Sequence, residues 1–484
     1  MNPTRFDWKR YPETEAFFLG GLDAFLKAHQ VAARLEQKIR EHTGTRLINW
    51  VDHVVLPDSG PTRTRLAQMG FIPNPLGETP PGRIAFLHAG AIFPNVVLQG
   101  GIRLRRTAEL TTYTKGSSVE PILELALKVE SVADFVARQG LDSASGGLEG
   151  PPKSRYRRVL VAGEGGLSLL AVERRAYRGY LCETPPPAYY QEYLRAEELW
   201  RTRPRRFDDT VEGFGKTKEI LEDISARLGK GLAACVLFEG ERRYWQERNR
   251  AARLQKERQD SLGLGWANHD HHTFRCSRRH LHDLVRLLEG LGFQCRERFY
   301  AGEEAGWGAQ VMENHLLGIT VFADLDLSPE ETEEASTSGG LPSGDFAHRP
   351  LPTRKDLGTV GLWVELHGEG FLEAGMHHLA IRADFDALRR GMAQEGIQTM
   401  KPFSDFPFLR QAFTQGEQWE VRSDRIDQLL SLGSINQEQY QKFSSQGAIG
   451  SHLEDIERRE GFKGFNQRSV SAIIQATDPR AYHH

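Results

Sequence analysis

Hydrophobic and polar positions follow a recurring order along the chain that predicts four copies of one unit. Each copy begins with a short apolar strand, continues with an amphipathic helix that ends at a glycine, and closes with further strands. The third copy is the clearest, because six apolar residues recur at helical spacing over 280–291 and Gly292 follows where a C-terminal cap belongs. The predicted first strands are Leu47–Leu56, Ile122–Val129, His271–Cys276 and His377–Arg382.

A strand-helix-strand-strand-strand unit repeated in pairs allows a curled sheet to close around a cavity. The pattern therefore predicts the α+β class, with paired βαβββ units that form half-barrels, rather than a doubly wound parallel sheet. We expect residues 1–186 to form an N-terminal degenerate pair of units and residues 187–260 to form a helical connector. Residues 261–484 are expected to form a C-terminal metal-binding pair, with an exposed insert at 328–352 that is rich in Glu, Ser, Gly and Pro.

Composition narrows the class of protein. The 484 residues are 39% hydrophobic and 26% charged, as in an ordinary globular protein, and the net charge of −3 does not suggest a nucleic-acid-binding surface. The sequence lacks an apolar run long enough for a membrane helix, and its four cysteines form no CxxC pair. We expect a cytoplasmic protein whose partners are small molecules, and a homo-oligomer is compatible with the sequence.

Histidines at the start of the third and fourth copies are candidate metal ligands. His271 and Thr273 share one face of the third copy's first strand, and His272 lies on the other. A single cluster of this kind is more often a set of surface or core histidines. The adjacent pair His377 and His378, at the equivalent position of the fourth copy, favours the metal interpretation. Two imidazoles and one carboxylate suit Fe(II), Mn or Zn and leave coordination positions open.

The carboxylate ligand is expected on the closing strand of the fourth copy, near residue 455. Asp455 and Glu457 share one face of this predicted strand, and Glu454 faces away from both. The alternative is a solvated, charged strand without a ligand. Both Asp455 and Glu457 are therefore candidates.

Two family resemblances bear on these residues. The segment 455–466, followed by 469–473, resembles the C-terminal signature of 4-hydroxyphenylpyruvate dioxygenases, in which a strand Glu-Ile-Ile-Gln-Arg precedes a Gly-Phe pair and an Asn-Phe-x-Ala-Leu helix. That family belongs to the vicinal oxygen chelate superfamily, which is built from paired βαβββ units. The resemblance implies the same superfamily for this chain.

The histidine segments are similar to those of the 2-oxoadipate dioxygenase/decarboxylase (hydroxyglutarate synthase) family. The similar segments are His271–Arg275, His378-Leu379, Leu409–Gln411 and Gly450–His452. The resemblance implies metal ligands at His271, His378 and Asp455, and a substrate carboxylate held by Arg275. Asp455 stands where both families have glutamate, so Glu457 remains an alternative ligand.

Four residues are candidates for binding substrate. Arg275 lies four residues after His271, and its guanidinium offers a planar fork for a carboxylate, although a surface ion pair is the ordinary alternative. Arg382 occupies the matching place in the fourth copy, while Arg410 and Gln411 come from the similar Leu-Arg-Gln segment. In the N-terminal half, His53 has no matching second histidine, so we expect this half to support the fold.

Together with the resemblance, these features predict a non-haem Fe(II)-dependent dioxygenase that acts on a 2-oxo acid. The resemblance further implies oxidative decarboxylation, hydroxylation and a substrate like 2-oxoadipate. Other divalent metals remain alternatives for the cofactor. A metal-dependent isomerase or lyase, a ring-cleaving dioxygenase on the same scaffold, and a non-catalytic small-ligand binding protein are alternative functions.

Overall fold

The computed structural model describes residues 8–101, 120–141, 147–301, 305–338, 357–466 and 479–480. The part of the predicted insert beyond residue 338 lies outside these ranges, as do residues 469–473 of the C-terminal signature. Among the described residues, no helix combines the length and apolar character needed to cross a membrane.

The N-terminal half contains one seven-stranded sheet. Its order is β2-β3-β4-β1-β5-β7-β6, so the first and last strands of each unit are parallel neighbours, and the two units meet where β1 pairs antiparallel with β5. The strands are β1 (Val51–Pro57), β2 (Ile72–Pro73), β3 (Arg83–Leu87), β4 (Asn95–Gln99), β5 (Glu124–Lys128), β6 (Tyr156–Glu164) and β7 (Leu167–Arg174). The helices of this half are α1 (Pro12–Ala28), α2 (Gln30–Thr43), α3 (Gly60–Gln68) and α4 (Val132–Gln139), with a 3₁₀ turn at Leu47–Trp50.

A group of four helices joins the halves. They are α5 (Pro187–Thr202), α6 (Thr210–Leu228), α7 (Lys230–Glu247) and α8 (Arg250–Asp260). Buried apolar residues of α7 join the main C-terminal core, which explains why this charged region is nevertheless ordered. The division at residues 186 and 260 into separately folding domains stays a prediction.

The C-terminal half contains a nine-stranded sheet with the order β13-β14-β16-β12-β8-β11-β10-β9, and β15 pairs with β16. Its strands are β8 (His269–Arg275), β9 (Gln294–Tyr300), β10 (Trp307–Asn314), β11 (Ile319–Asp326), β12 (His378–Arg382), β13 (Ser404–Phe406), β14 (Leu409–Phe413), β15 (Glu417–Trp419) and β16 (Ala448–Arg458). Its helices are α9 (Leu281–Gly290), α10 (Pro329–Ser338), α11 (Thr359–His367), α12 (Phe385–Gln394), α13 (Ser423–Ser431) and α14 (Gln437–Gln446), with a 3₁₀ turn at Arg278–His280.

The α+β fold class with paired βαβββ half-barrels is thereby confirmed. Local chemistry explains the unit boundaries: Gly292, at φ 87°, adopts the left-handed conformation just after α9, and the Asp384 carboxylate caps α12 by accepting from the Ala387 amide. Several features differ from the sequence prediction. Helices α1, α2 and α11 were not predicted, and residues 329–338 of the predicted insert form α10. In addition, β15, α13 and α14 are inserted before the closing strand of the fourth unit.

Candidate metal centre

Strand pairing brings the two predicted histidines together. β8 and β12 run antiparallel, with Ala380 opposite His271 and His378 opposite Thr273. Because alternate residues of a strand share a face, both histidines project from the same side of the sheet. Their rings lie 5.8 Å apart between centroids, and both side chains are buried.

Glu454 completes this group. β16 runs parallel to β12 and places Glu454 beside Ala380, on the same face as the histidines. The Oε2 atom of Glu454 lies 3.2 Å from Nε2 of His271 and 3.0 Å from Nε2 of His378. Gln411 donates to the other carboxylate oxygen at 2.8 Å. In the described part of the chain, His271, His378 and Glu454 are the one group of three histidine, cysteine or acidic side chains with ligand atoms close enough to share an ion.

The predicted carboxylates Asp455 and Glu457 do not join the histidines. Asp455 lies opposite Ile381 and Ala412, on the other face of β16, where the Arg389 guanidinium of α12 acts on it. Burial, together with the nearby Glu457, raises the pKa of Asp455. Glu457 lies by a different cavity and forms an ion pair with Arg459 at 2.7 Å. The predicted carboxylate position is thus corrected by one residue, to Glu454.

The sequence contained a signal for this position. The family strand Glu-Ile-Ile-Gln-Arg matches Glu454–Arg458 when its arginine is aligned with Arg458, whereas alignment with Arg459 gives Asp455. Arg458 is the buried arginine, and its guanidinium donates to both carboxylate oxygens of Asp270 at 2.8 and 3.0 Å. Arg459 is roughly half exposed. Sequence reasoning missed Asp270, which connects this arginine to the site.

Asp270 and His377 orient the two histidines. The Nδ1 atom of His271 lies 3.0 Å from Oδ1 of Asp270, so its Nε2 atom points at Glu454. The Nδ1 atom of His378 lies 2.9 Å from Nδ1 of His377. A carboxylate behind a metal-binding histidine fixes the ring and raises its basicity.

The charges of the group are strongly coupled. Although burial disfavours a charged ring, Glu454 and Asp270 raise the pKa of His271 to about 9. Burial also disfavours the Glu454 carboxylate, yet the two histidines hold its pKa at about 2. For His378, burial outweighs Glu454 and lowers the pKa. Glu454 is therefore an anion throughout the physiological range.

The donor set fits a divalent transition metal. Two neutral imidazoles and one carboxylate are the ligands of the non-haem Fe(II) facial triad, and imidazole also suits Zn and Mn sites. Two donors that each lie about 2.1 Å from one ion and at right angles to each other are about 3.0 Å apart. The separations of 3.0 and 3.2 Å between Glu454 and the two histidines agree with this geometry.

The three side chains line one wall of a cavity of about 530 Å³. Phe322, Phe413 and Phe465 cover the histidine rings at centroid distances of 5.0 to 5.1 Å. The polar lining includes two of the substrate-binding candidates, Arg275 and Gln411, and also Asp324, which was not a candidate. The lining therefore combines aromatic side chains with several polar and ionisable groups.

Arg275 and Asp324 are neighbours across β8 and β11. The Arg275 side chain is buried, and its guanidinium lies 5.5 Å from the ring centre of Trp363. Burial raises the pKa of Asp324 to about 7, although Arg275 acts in the opposite direction. A cation and an acid that can be either protonated or ionised near neutral pH thus lie on one wall of the cavity.

Arg382 and Arg410 lie outside this cavity, contrary to the prediction that they bind substrate there. Arg382 lines a separate cavity near the 3₁₀ turn at 47–50. Arg410 forms ion pairs with Asp386 at 2.9 Å and Asp405 at 3.0 Å. Its position on β14 points it away from its buried neighbour Gln411.

The N-terminal half contains a counterpart of the site without the full ligand set. His53, Ala126 and Leu170 are mutually paired on β1, β5 and β7, as His271, Ala380 and Glu454 are on β8, β12 and β16. Leu170 therefore occupies the position of the carboxylate ligand. Glu124 stands at the position of His378 and is engaged by Arg83.

The N-terminal half nevertheless repeats the contacts that orient His271. Nδ1 of His53 lies 2.7 Å from Asp52, and Arg174 donates to both Asp52 oxygens at 2.7 and 2.9 Å, as Arg458 does to Asp270. His53 is buried, in agreement with the expectation of a supporting role.

No protein-family model matches the chain, and no curated protein sequence matches it significantly. Several solved structures are similar in part. Methylmalonyl-CoA epimerase from Mycobacterium tuberculosis is 12% identical over 40% of this chain and 88% of its own, with a TM-score of 0.22. A mutant 4-hydroxymandelate synthase from Streptomyces coelicolor is 12% identical over 90% of this chain and 99% of its own, with a TM-score of 0.28. A xylose isomerase-like TIM barrel/4-hydroxyphenylpyruvate dioxygenase fusion protein is 12% identical over 96% and 58%, with a TM-score of 0.21. These similarities are too distant to support an argument about function. That argument rests on the residues of the site.

Proposed function

We propose that this protein is a non-haem Fe(II)-dependent dioxygenase that acts on a 2-oxo acid. The observation that carries the proposal is the buried group of His271, His378 and Glu454 at the wall of an aromatic cavity. Two histidines and one carboxylate leave coordination positions for substrate and dioxygen, and this ligand set is typical of Fe(II) oxygenases.

In this proposal His271, His378 and Glu454 hold the metal, and Asp270 and His377 keep the imidazoles oriented. The bound iron supplies the dioxygen chemistry. Metal binding requires a neutral His271, so the proton that Glu454 and Asp270 favour on this ring is released to solvent. Gln411 donates to Glu454 and fixes which carboxylate oxygen faces the histidines.

Arg275 is the proposed partner of a substrate carboxylate. Its guanidinium presents parallel N–H donors to a carboxylate, which a lysine does not. Asp324 lies beside it and, with a pKa of about 7, offers either a donor or an acceptor to the same group. We therefore propose a 2-oxo dicarboxylic acid, such as 2-oxoadipate, as the substrate class. The aromatic walls limit the access of water to the reacting atoms.

The test is oxygen uptake by the Fe(II)-loaded protein against a panel of mono- and dicarboxylic 2-oxo acids. We expect one acid to stimulate uptake with release of one equivalent of carbon dioxide, and His378→Ala to abolish both. His315→Ala, at an exposed histidine, is the matched control and should retain activity.

Other outcomes would contradict the proposal. Turnover without oxygen would indicate an isomerase or lyase, and oxygen incorporation without carbon dioxide release would indicate ring cleavage. Stoichiometric metal binding without turnover of any acid would favour a binding protein.

A further inference from the structure

A second polar cavity, of about 520 Å³, lies between the two halves of the molecule. It is bounded by the end of β5, by one face of α7 and by the beginning of β8 and β11. It shares none of its lining residues with the metal cavity. Phe238 and Leu317 contribute apolar wall, and Lys128 and Arg242 contribute positive charge.

The acidic side chains at this cavity are already engaged. Glu130 accepts from the Trp266 amide at 3.1 Å and lies 3.2 Å from the ammonium of Lys256. Glu239 lies 3.5 Å from the guanidinium of Arg175. Arg242 helps to keep Glu130 ionised, but no ion pair joins the two within 4 Å among the described residues.

The third cation of the lining is compensated by its own partner. Arg174 donates to both carboxylate oxygens of Asp52 and to the carbonyl of Gly179. The uncompensated positive charge at the cavity therefore belongs to Lys128 and Arg242.

Arg242 is held in the cavity wall with incomplete hydrogen bonding. Its side chain is 8% exposed, and its Nε atom has no hydrogen-bond partner among the described residues. Its Nη1 atom lies 3.3 Å from Nε2 of His272, which leaves the guanidinium without an anionic partner on that side. A buried N–H without a partner destabilises the folded protein, and a charged one does so more strongly.

The backbone of Lys128 pairs with β7, but its ammonium makes no hydrogen bond or ion pair with any described residue. Burial lowers its pKa to about 7, and the cations of Arg178, Arg382 and Arg242 add to this effect, which Asp52 opposes. A bound anion would stabilise the charged ammonium and satisfy the guanidinium in one step.

We propose that Lys128 and Arg242 form a binding site for a small oxyanion, either a carboxylate or a phosphate group, that is separate from the metal centre. The guanidinium supplies directed donors and the ammonium supplies a point charge, a combination that suits either group. Phe238 and Leu317 form an apolar wall in the same cavity.

Calorimetric titration of the full-length protein with sodium phosphate and, separately, with sodium acetate at constant ionic strength tests the proposal. We expect one saturable site per chain for at least one of these anions, with a Kd at least tenfold weaker in Lys128→Met and in Arg242→Met. The control variants Lys218→Met and Arg243→Met remove exposed charges from α6 and α7, and they should bind as the parent does. Arg275→Met should also leave this binding unchanged, which separates it from the metal cavity.

Lysine acetylation of the unaltered protein, followed by mass spectrometry, gives a second measurement that does not depend on variant folding. Because its pKa is about 7, Lys128 should react at neutral pH ahead of exposed lysines, and the bound anion should protect it. Binding of phosphate alone, or of acetate alone, identifies the group. Failure of both anions to bind, equal weakening in the control variants, or no protection of Lys128 overturns the proposal.

Discussion

Glu454 and Asp455 are adjacent buried acids on opposite faces of β16, and only Glu454 faces the histidines. We therefore expect Glu454→Gln to remove metal binding and Asp455→Asn to preserve it. Both substitutions replace a carboxyl by an amide of similar size. Burial raises the pKa of Asp455, so the amide there replaces a neutral acid, whereas at position 454 it replaces an anion.

The expected loss of metal affinity follows from the role of Glu454 as a ligand. Loss of a group that only supports a metal ligand weakens metal binding by about 10–100-fold. Loss of the one anionic ligand should exceed this range, so we expect Kd to rise by more than about 100-fold, which corresponds to about 2.8 kcal/mol. Gln411 donates to Glu454, and its amide would still find an acceptor oxygen in the glutamine variant.

Anaerobic Fe(II) titration against a colorimetric chelator measures both variants, and Co(II) absorption reports the coordination geometry. Circular dichroism melting checks that each variant is folded. If Asp455→Asn lost the metal while Glu454→Gln retained it, the pairing of β12 with β16 that places Glu454 at the site would be wrong. Equal loss in two folded variants would show that neither face of β16 alone supplies the ligand.

Three further predictions concern the surroundings of the metal. Asp270→Asn should weaken metal binding about 10–100-fold. Asp52→Asn alters the corresponding contact in the N-terminal half and should leave metal binding unchanged. Titration of both variants against a chelator measures the difference. Although burial opposes the shift, the neighbouring carboxylates of Glu454 and Asp270 raise the pKa of His271 to about 9. The free energy that protonated His271 contributes to folding is therefore fully present below about pH 6.5, and it is lost as the pH rises through 9. The Tm of the metal-free protein should fall over that window, and His271→Gln should flatten the fall; an unchanged slope would contradict the assignment. Arg275→Met should raise KM for a dicarboxylic 2-oxo acid by about 10–100-fold, as expected for a lost charged hydrogen bond, while Arg382→Met should not; steady-state oxygen uptake distinguishes them.

The order of elements was largely predictable because it depends on local patterns. Alternation of apolar residues and glycines at helix ends located the four units, and the charged, helix-favouring composition of residues 187–260 indicated the helical connector. Helices α1 and α2 escaped prediction because nothing in the repeated pattern includes them. The inserted α13 and α14 escaped prediction because they too lie outside the repeated pattern.

The residues of the site could be predicted only where the residue type was sufficient, and not where the register of a strand had to be known. His271 and His378 could be named because paired histidines recur at the same place in two units. The carboxylate required knowing which face of β16 meets β12, and a shift of one residue exchanges the faces. The positions of Arg382 and Arg410 could not be predicted either, since contacts such as the ion pairs of Arg410 decide where a long side chain ends.

The N-terminal half shows how little separates a metal site from a structural contact in this fold. Asp52, His53 and Arg174 reproduce the arrangement of Asp270, His271 and Arg458, including the paired hydrogen bonds between arginine and carboxylate. The ligand group itself is incomplete there, because Leu170 stands where Glu454 stands in the other half. An aspartate behind a histidine therefore does not by itself identify a metal ligand. What distinguishes the C-terminal half is the complete ligand group, because His378 on β12 and Glu454 on β16 both face His271.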